Sequence, residues 1–223
     1  TFLERKSGLI AYVGSDGNIY TVNQTGNNPT QITNDAAVEG ATQRFYQYPT
    51  WSPDSESLAF FSLSGSSQTN LEAAIYVVGK DGKNQVEVYK DDNGSRPVYL
   101  SWSPDSANLT FIATIPSSGG LSFNMVPAAG GDIQVLDTGS PYYWDWRPDG
   151  SGMLIHSGGA RTDDPLARLA FLKLADGVVE DGLLLKPATF QSPAFSPDGS
   201  QLLLAAENDN LRRQLGMPPV HLG

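Results

Sequence analysis

The chain contains two histidines, His156 and His221, and no cysteine. A three-histidine metal site is therefore impossible within one chain. Thiolate metal sites, disulfides, CxxC redox chemistry and a cysteine nucleophile are excluded as well. His156 ends the apolar run Met153-Leu154-Ile155, beside Ser157. An imidazole there can exchange a proton near neutral pH. A hydrogen-bonded structural histidine is the preferred reading, with His156 carried as a candidate binding residue. His221 follows Met217-Pro218-Pro219 and is assigned no role. Asp91-Asp92-Asn93 and Asp163-Asp164 offer oxygen ligands to a hard cation such as Ca²⁺, but they lack the spaced ligands and terminal Glu of an EF-hand loop. They read as solvated loop acids, so no cofactor and no metal are expected. No Gly-x-Ser-x-Gly, Walker loop or Gly-x-Gly-x-x-Gly occurs, and no catalytic residue is assigned.

Three short segments carry residue types that favour recognition instead. They are Arg44-Phe45-Tyr46-Gln47-Tyr48, Arg96-Pro97-Val98-Tyr99 and Tyr142-Tyr143-Trp144-Asp145. Arg, Tyr and Trp are enriched where proteins bind one another, because they combine large contact area with a polar handle. Arg44, Tyr46, Arg96, Tyr99, Tyr142 and Trp144 are therefore expected to contribute to a recognition surface. Strand alternation turns part of each group inward as packing.

A chain of 223 residues with 39% hydrophobic and 17% charged residues can bury one substantial core. The net charge of −10 argues against nucleic acid, which needs clustered Lys and Arg, and against an anionic membrane surface. No apolar run is long enough to span a bilayer, so direct membrane insertion is not expected. The lack of thiols suits either redox compartment. The sequence opens at Thr1 without Met or an apolar leader, so an export signal is expected to be processed off or to lie outside these residues. Three Asn-x-Ser/Thr sequons begin at Asn23, Asn93 and Asn108, as expected by chance in so polar a chain.

One phrase recurs and supplies the architecture. It reads Trp51-Ser52-Pro53-Asp54-Ser55, Trp102-Ser103-Pro104-Asp105-Ser106, Trp146-Arg147-Pro148-Asp149-Gly150 and Phe195-Ser196-Pro197-Asp198-Gly199. An apolar run follows each copy, as in Leu58-Ala59-Phe60-Phe61 and Leu202-Leu203-Leu204. Pro sets φ for a turn and ends a strand, while Asp bonds the backbone ahead of it. Pro53, Asp54, Pro104, Asp105, Pro148, Asp149, Pro197 and Asp198 are thus structural turn residues. The aromatic two positions before each Pro is a packing residue. Further strand candidates follow, such as Ala74-Ile75-Tyr76-Val77-Val78 and Val86-Glu87-Val88-Tyr89. Helical periodicity is confined to Asn210–Leu215.

Four short strands per unit of this length is the pattern of a β-propeller blade. The phrase, its following apolar strand and the Ile-Tyr-Val strand resemble the WD40-like PD40 repeat of TolB-type propellers, from about Gly8 to Ala206. The fold expected is all-β, a propeller of four-stranded antiparallel blades. About five blades are visible at 8–33, 47–90, 97–137, 142–186 and 192–206, the two terminal ones incomplete. The propeller covers 1–206, and 207–223 is a C-terminal tail or truncated blade. Missing sequence, a compact five-bladed ring and completion by another chain remain open. One arrangement joins both termini in a single blade; completion between chains would make an oligomer. By resemblance, the expected function is a non-catalytic protein-binding scaffold with a protein partner, extracytoplasmic in a bacterium. The alternatives are the gating propeller of a larger prolyl-oligopeptidase-type serine peptidase, or a saccharide lyase-like propeller enzyme.

Overall fold

A computed structural model describes residues 8–67, 70–159, 166–174, 179–182 and 192–205. Its secondary structure among these residues is entirely β, in seventeen strands. The first sheet holds β1 (Leu9–Val13), β2 (Ile19–Asn23) and β3 (Thr30–Gln31). The second holds β4 (Gln43–Trp51), β5 (Ser57–Ser67), β6 (Asn70–Gly79) and β7 (Val86–Asp91). The third holds β8 (Pro97–Trp102), β9 (Asn108–Thr114), β10 (Leu121–Pro127) and β11 (Gln134–Gly139). The fourth holds β12 (Tyr142–Trp146), β13 (Gly152–Ser157), β14 (Arg168–Lys173) and β15 (Val179–Gly182). A final pair holds β16 (Ala194–Phe195) and β17 (Leu202–Leu203). Each sheet runs in chain order, and every described pairing is antiparallel. This is what short hairpin connections between consecutive strands produce.

Each copy of the phrase sits on the hairpin between the first two strands of a sheet. Trp51 pairs with Leu58, Trp102 with Leu109, Trp146 with Met153 and Phe195 with Leu202, always seven residues on. The Ser of the phrase closes the bend. Ser52 Oγ donates to Asp54 at 2.5 Å and accepts the Ser57 N–H at 2.9 Å. Ser103 and Ser196 repeat both bonds within their own turns. Asp54 Oδ1 in turn accepts the Glu56 N–H at 3.0 Å. The residue after Asp needs a left-handed backbone, with φ of 63° at Ser55 and Ser106, 73° at Gly150 and 69° at Gly199. Glycine adopts that region without a Cβ penalty, and serine tolerates it at some cost.

The third copy substitutes Arg147 for that Ser, and its Asp149 is bonded by Ser151 instead. The Arg147 guanidinium stands 5.7 Å from the centre of the Phe171 ring and 5.8 Å from that of Phe195. The two departures from the repeat, Arg for Ser and Phe for Trp, therefore meet in one cation–π contact.

The chain divides into two compact units, Thr1–Gly119 with Asn124–Val135, and Gly120–Phe123 with Leu136–Gly223, the division passing through β10. In the first unit, one core cluster packs Ala59, Phe61, Ile75, Val77, Trp102 and Phe111 among others. A second packs Ile19, Tyr46, Leu58, Phe60, Tyr76 and Val78. Successive residues of β5 thus serve opposite faces of its sheet, as a period of two dictates. In the second unit β13 is buried along its whole length, and Leu169, Ala170 and Leu172 of β14 are buried with it. Leu183–Leu185, Asp163-Asp164, His221 and the Asn210–Leu215 segment lie outside the described residues.

Candidate binding site

The three expected recognition segments fall in first strands, apart from Arg96, which immediately precedes β8. β4 begins at Gln43 and includes Arg44 through Tyr48, and β12 includes Tyr142 through Asp145. Pleat alternation therefore decides where each side chain goes. Tyr46, Tyr142, Trp144 and His156 are buried, Arg44 and Arg96 are half-buried, and Tyr99 is exposed. A buried ring cannot offer its face to a partner, so of the residues expected to contribute to a recognition surface only Arg44, Arg96 and Tyr99 keep accessible surface. Trp144 and Tyr142 pack on Phe123, with ring centres 4.6 and 5.0 Å apart respectively. The His156 ring meets Tyr143 edge-on at 5.9 Å, inside the fourth sheet. The Arg96 N–H donates to Thr114 Oγ1 at 2.9 Å, which ties the start of β8 to the end of β9.

Arg44 stands at a site built from the loop between β3 and β4. Asn18 anchors that loop, its Oδ1 accepting the Thr33 hydroxyl and the Ala36 N–H, each at 3.1 Å. Ala37 and Arg44 then exchange two backbone hydrogen bonds, 2.7 and 2.9 Å, which fold the loop back on β4. Asp35 is thereby delivered between two β4 side chains. It accepts Arg44 Nη1 on one oxygen and the Tyr46 hydroxyl on the other, both at 2.6 Å. Burial pushes the Asp35 carboxyl up, but these two donors outweigh it and hold it below the ordinary carboxylate value. Burial, followed by the neighbouring carboxylate, pushes the Tyr46 phenol well above its usual value. At neutral pH the cluster is an ionised Asp, a cationic Arg and a neutral Tyr.

Beside this cluster opens a cavity of about 690 Å³. Asp35, Gln43, Arg44, Ser64, Glu72 and Asp92 are in its wall. Glu72 is paired with Lys90 at 2.8 Å. The wall carries more carboxylates than cations and draws on β4, β5 and β6. Among the described residues no three His, Cys, Asp or Glu are grouped closely enough to hold a metal ion. Among the described residues there is no helix long and apolar enough to cross a membrane. Arg96 and Tyr99 do not line this cavity.

The second unit repeats the side-chain trio. Tyr142 donates its hydroxyl to Asp137 at 2.8 Å, and Arg168 pairs with the same carboxylate oxygen. Sequence reasoning selected both tyrosines and Arg44 but missed Asp35, Asp137 and Arg168. The available signal was an Asp shortly before each tyrosine strand, nine residues before Arg44 and five before Tyr142.

No protein-family model matches the sequence, and no curated protein matches it either. Solved structures do match. TolB from Acinetobacter baumannii superposes with a TM-score of 0.57 at 16% identity, over 89% of this chain and 46% of its own. The β-propeller domain of the Trilobed protease from Pyrococcus furiosus gives 0.54 at 15%, over 80% of this chain and 53% of its own. The fold is a β-propeller. A puromycin-hydrolyzing peptidase from Mycobacterium tuberculosis gives 0.63 at 14%, over 89% of this chain and 33% of its own. The propeller chain thus spans about half of TolB and a third of the peptidase, and identities this low concern the fold alone.

Proposed function

We propose that this propeller is a non-catalytic, protein-binding scaffold that takes hold of its partner at the cavity beside Arg44. The observation that carries this reading is the cavity itself, whose volume is about 690 Å³ and whose wall sets Arg44 next to Asp35, Glu72 and Asp92. Small-molecule sites are mostly apolar with a few polar groups. A wall that sets one cation among three carboxylates suits an extended polypeptide, whose carbonyls accept from Arg44 and whose basic side chains meet the carboxylates. Arg96 and the exposed Tyr99 offer a second contact of the hot-spot type. The partner is a protein, met outside the cytoplasm, and the chemistry is recognition without bond cleavage.

The test is capture on the immobilised wild-type chain, followed by calorimetry with the purified captured protein. Arg44→Ala should weaken that binding at least about tenfold, the effect of losing one charge-assisted hydrogen bond, with an unchanged melting temperature. Equal affinity for both proteins, or cleavage of the captured protein, would refute the proposal.

The likeness to the puromycin-hydrolyzing peptidase favours one second reading, a gating propeller within a larger serine peptidase, because the chain covers 89% of itself but 33% of that enzyme. A Gly-x-Ser-x-Gly segment downstream in the complete reading frame would establish it.

A further inference from the structure

Asn93-Gly94, in the loop between β7 and β8, is the one Asn-Gly pair of the sequence. Asparagine before glycine is chemically labile, because the next backbone nitrogen can attack the side-chain amide carbon and glycine has no Cβ to hinder the approach. In a folded chain the attack depends on two groups being free to meet, the side chain and the glycine N–H. Four turns hold the related Asp-Gly pair and show a protected arrangement. Gly17 donates its N–H to Gly14 O at 2.9 Å, Gly82 to Gly79 O at 2.8 Å, Gly150 to Arg147 O at 2.9 Å and Gly199 to Ser196 O at 2.8 Å. The carboxylates before them are fixed as well: Asp16, Asp81, Asp149 and Asp198 each accept the backbone N–H two residues on.

The Asn93 loop is built differently. Asp91 Oδ1 accepts the N–H of Asn93 at 2.9 Å and that of Ser95 at 2.8 Å, passing over Gly94 between them. Among the described residues, neither the Gly94 N–H nor the Asn93 side chain makes a hydrogen bond. Asn93 is exposed to water, and Gly94 takes a φ of 95°. A Cβ at Gly94 would meet only the Pro116 ring, at 3.7 Å, so the loop is not crowded there. Both reacting groups that the Asp-Gly turns tie down are therefore loose at this one pair.

We propose that Asn93 is a self-modification site, which converts to aspartate and isoaspartate in the folded protein. The Gly94 nitrogen gives its proton to solvent hydroxide and bonds Asn93 Cγ. The Cγ–Nδ2 bond breaks, and the amide leaves as ammonia with a proton taken from water. A second water opens the cyclic imide so formed. Opening at Cγ leaves aspartate, and opening at the Asn93 backbone carbonyl leaves isoaspartate, whose main chain runs through the former side chain. Either product sets a new carboxylate beside Asp92, a residue of the cavity wall. The isoaspartyl link also lengthens the segment that Asp91 spans between the Asn93 and Ser95 N–H groups. Regulation of partner binding by this added charge rests on the function proposed for the cavity, whereas the conversion itself is read by mass with no partner present.

The full chain is aged in neutral buffer at body temperature and followed by peptide mapping, for the mass gain of an amide becoming an acid, and by enzymatic methylation of isoaspartate. Asn93 should convert ahead of every other asparagine. Asn93→Gln, which would have to close a larger ring, should lose the isoaspartate signal from this loop. Asp81→Asn creates a second Asn-Gly pair, in a turn whose Gly82 N–H is bonded to Gly79 O. In the folded protein that pair should convert about tenfold more slowly than Asn93, the effect of one hydrogen bond that must first open. In denaturant the gap should close. An Asn93 that stays unchanged, a loop isoaspartate signal that persists in Asn93→Gln, or equal folded-state rates for the two pairs would each overturn the proposal.

Discussion

Tyr46, Asp35 and Arg44 in the first unit use the same side-chain types as Tyr142, Asp137 and Arg168 in the second. In both, a buried tyrosine near the start of a first strand donates to an aspartate that precedes the strand, and an arginine neutralises that aspartate. Their solvation differs. The Asp35 side chain is 52% exposed and borders a cavity, while that of Asp137 is 15% exposed. The origin of the arginine accounts for this. Arg44 lies two residues from Tyr46 on the same strand, whereas Arg168 reaches Asp137 from β14 and covers it. One arrangement is thus largely covered in one place and leaves its charges open to solvent in the other.

The largest effect should come from emptying the covered lock. Tyr142→Ala removes a buried ring stacked on Phe123 and should cost about 3–5 kcal/mol, read as a fall of ten degrees or so in melting temperature. Tyr142→Phe keeps the ring and should cost only about 1–2 kcal/mol, through the lost hydroxyl bond to Asp137. Arg168→Ala comes next, at about 2–3 kcal/mol, because it leaves a largely covered carboxylate without its cation. A cost near zero for Arg168→Ala would erase the contrast between the two clusters.

Acid sharpens the comparison with a third set of carboxylates. Hydrogen bonds from Ser52, Ser103, Ser151 and Ser196 hold Asp54, Asp105, Asp149 and Asp198 below the ordinary value of 3.8, Asp198 at about 2. A carboxylate lowered on folding stabilises the fold above its unfolded value, and that stability is lost as pH falls through its folded one. Stability should therefore decline progressively from about pH 4 toward pH 2, with Asp35 contributing in the same direction. Ser52→Ala should raise the titration midpoint of Asp54, followed by carboxylate NMR, while leaving Asp35 unmoved.

The bends were legible because proline, aspartate and an aromatic at fixed spacing specify a turn almost without tertiary context, and all four copies form it. The strand grouping followed from the same punctuation. The candidate recognition residues were harder to read. Tyr46, Tyr142 and Trp144 were chosen by type, but whether an aromatic faces out depends on strand phase, and β4 carries an irregularity between Gln47 and Thr50 that shifts it. Arg168 was invisible because it lies 31 residues from its partner Asp137. Arg147 and Phe195 looked like unrelated departures until the fold set one against the other.

Melting temperatures of Arg44→Ala and Arg168→Ala, measured side by side in one buffer, test most directly whether only the covered cluster is a lock. Arg168→Ala should fall by roughly 5 °C or more, whereas Arg44→Ala should stay within about 2 °C of wild type, as exposed ion pairs contribute ~0–1 kcal/mol. Equal falls, or a larger fall for Arg44→Ala, would contradict the assignment of Arg44 to recognition and of Arg168 to stability.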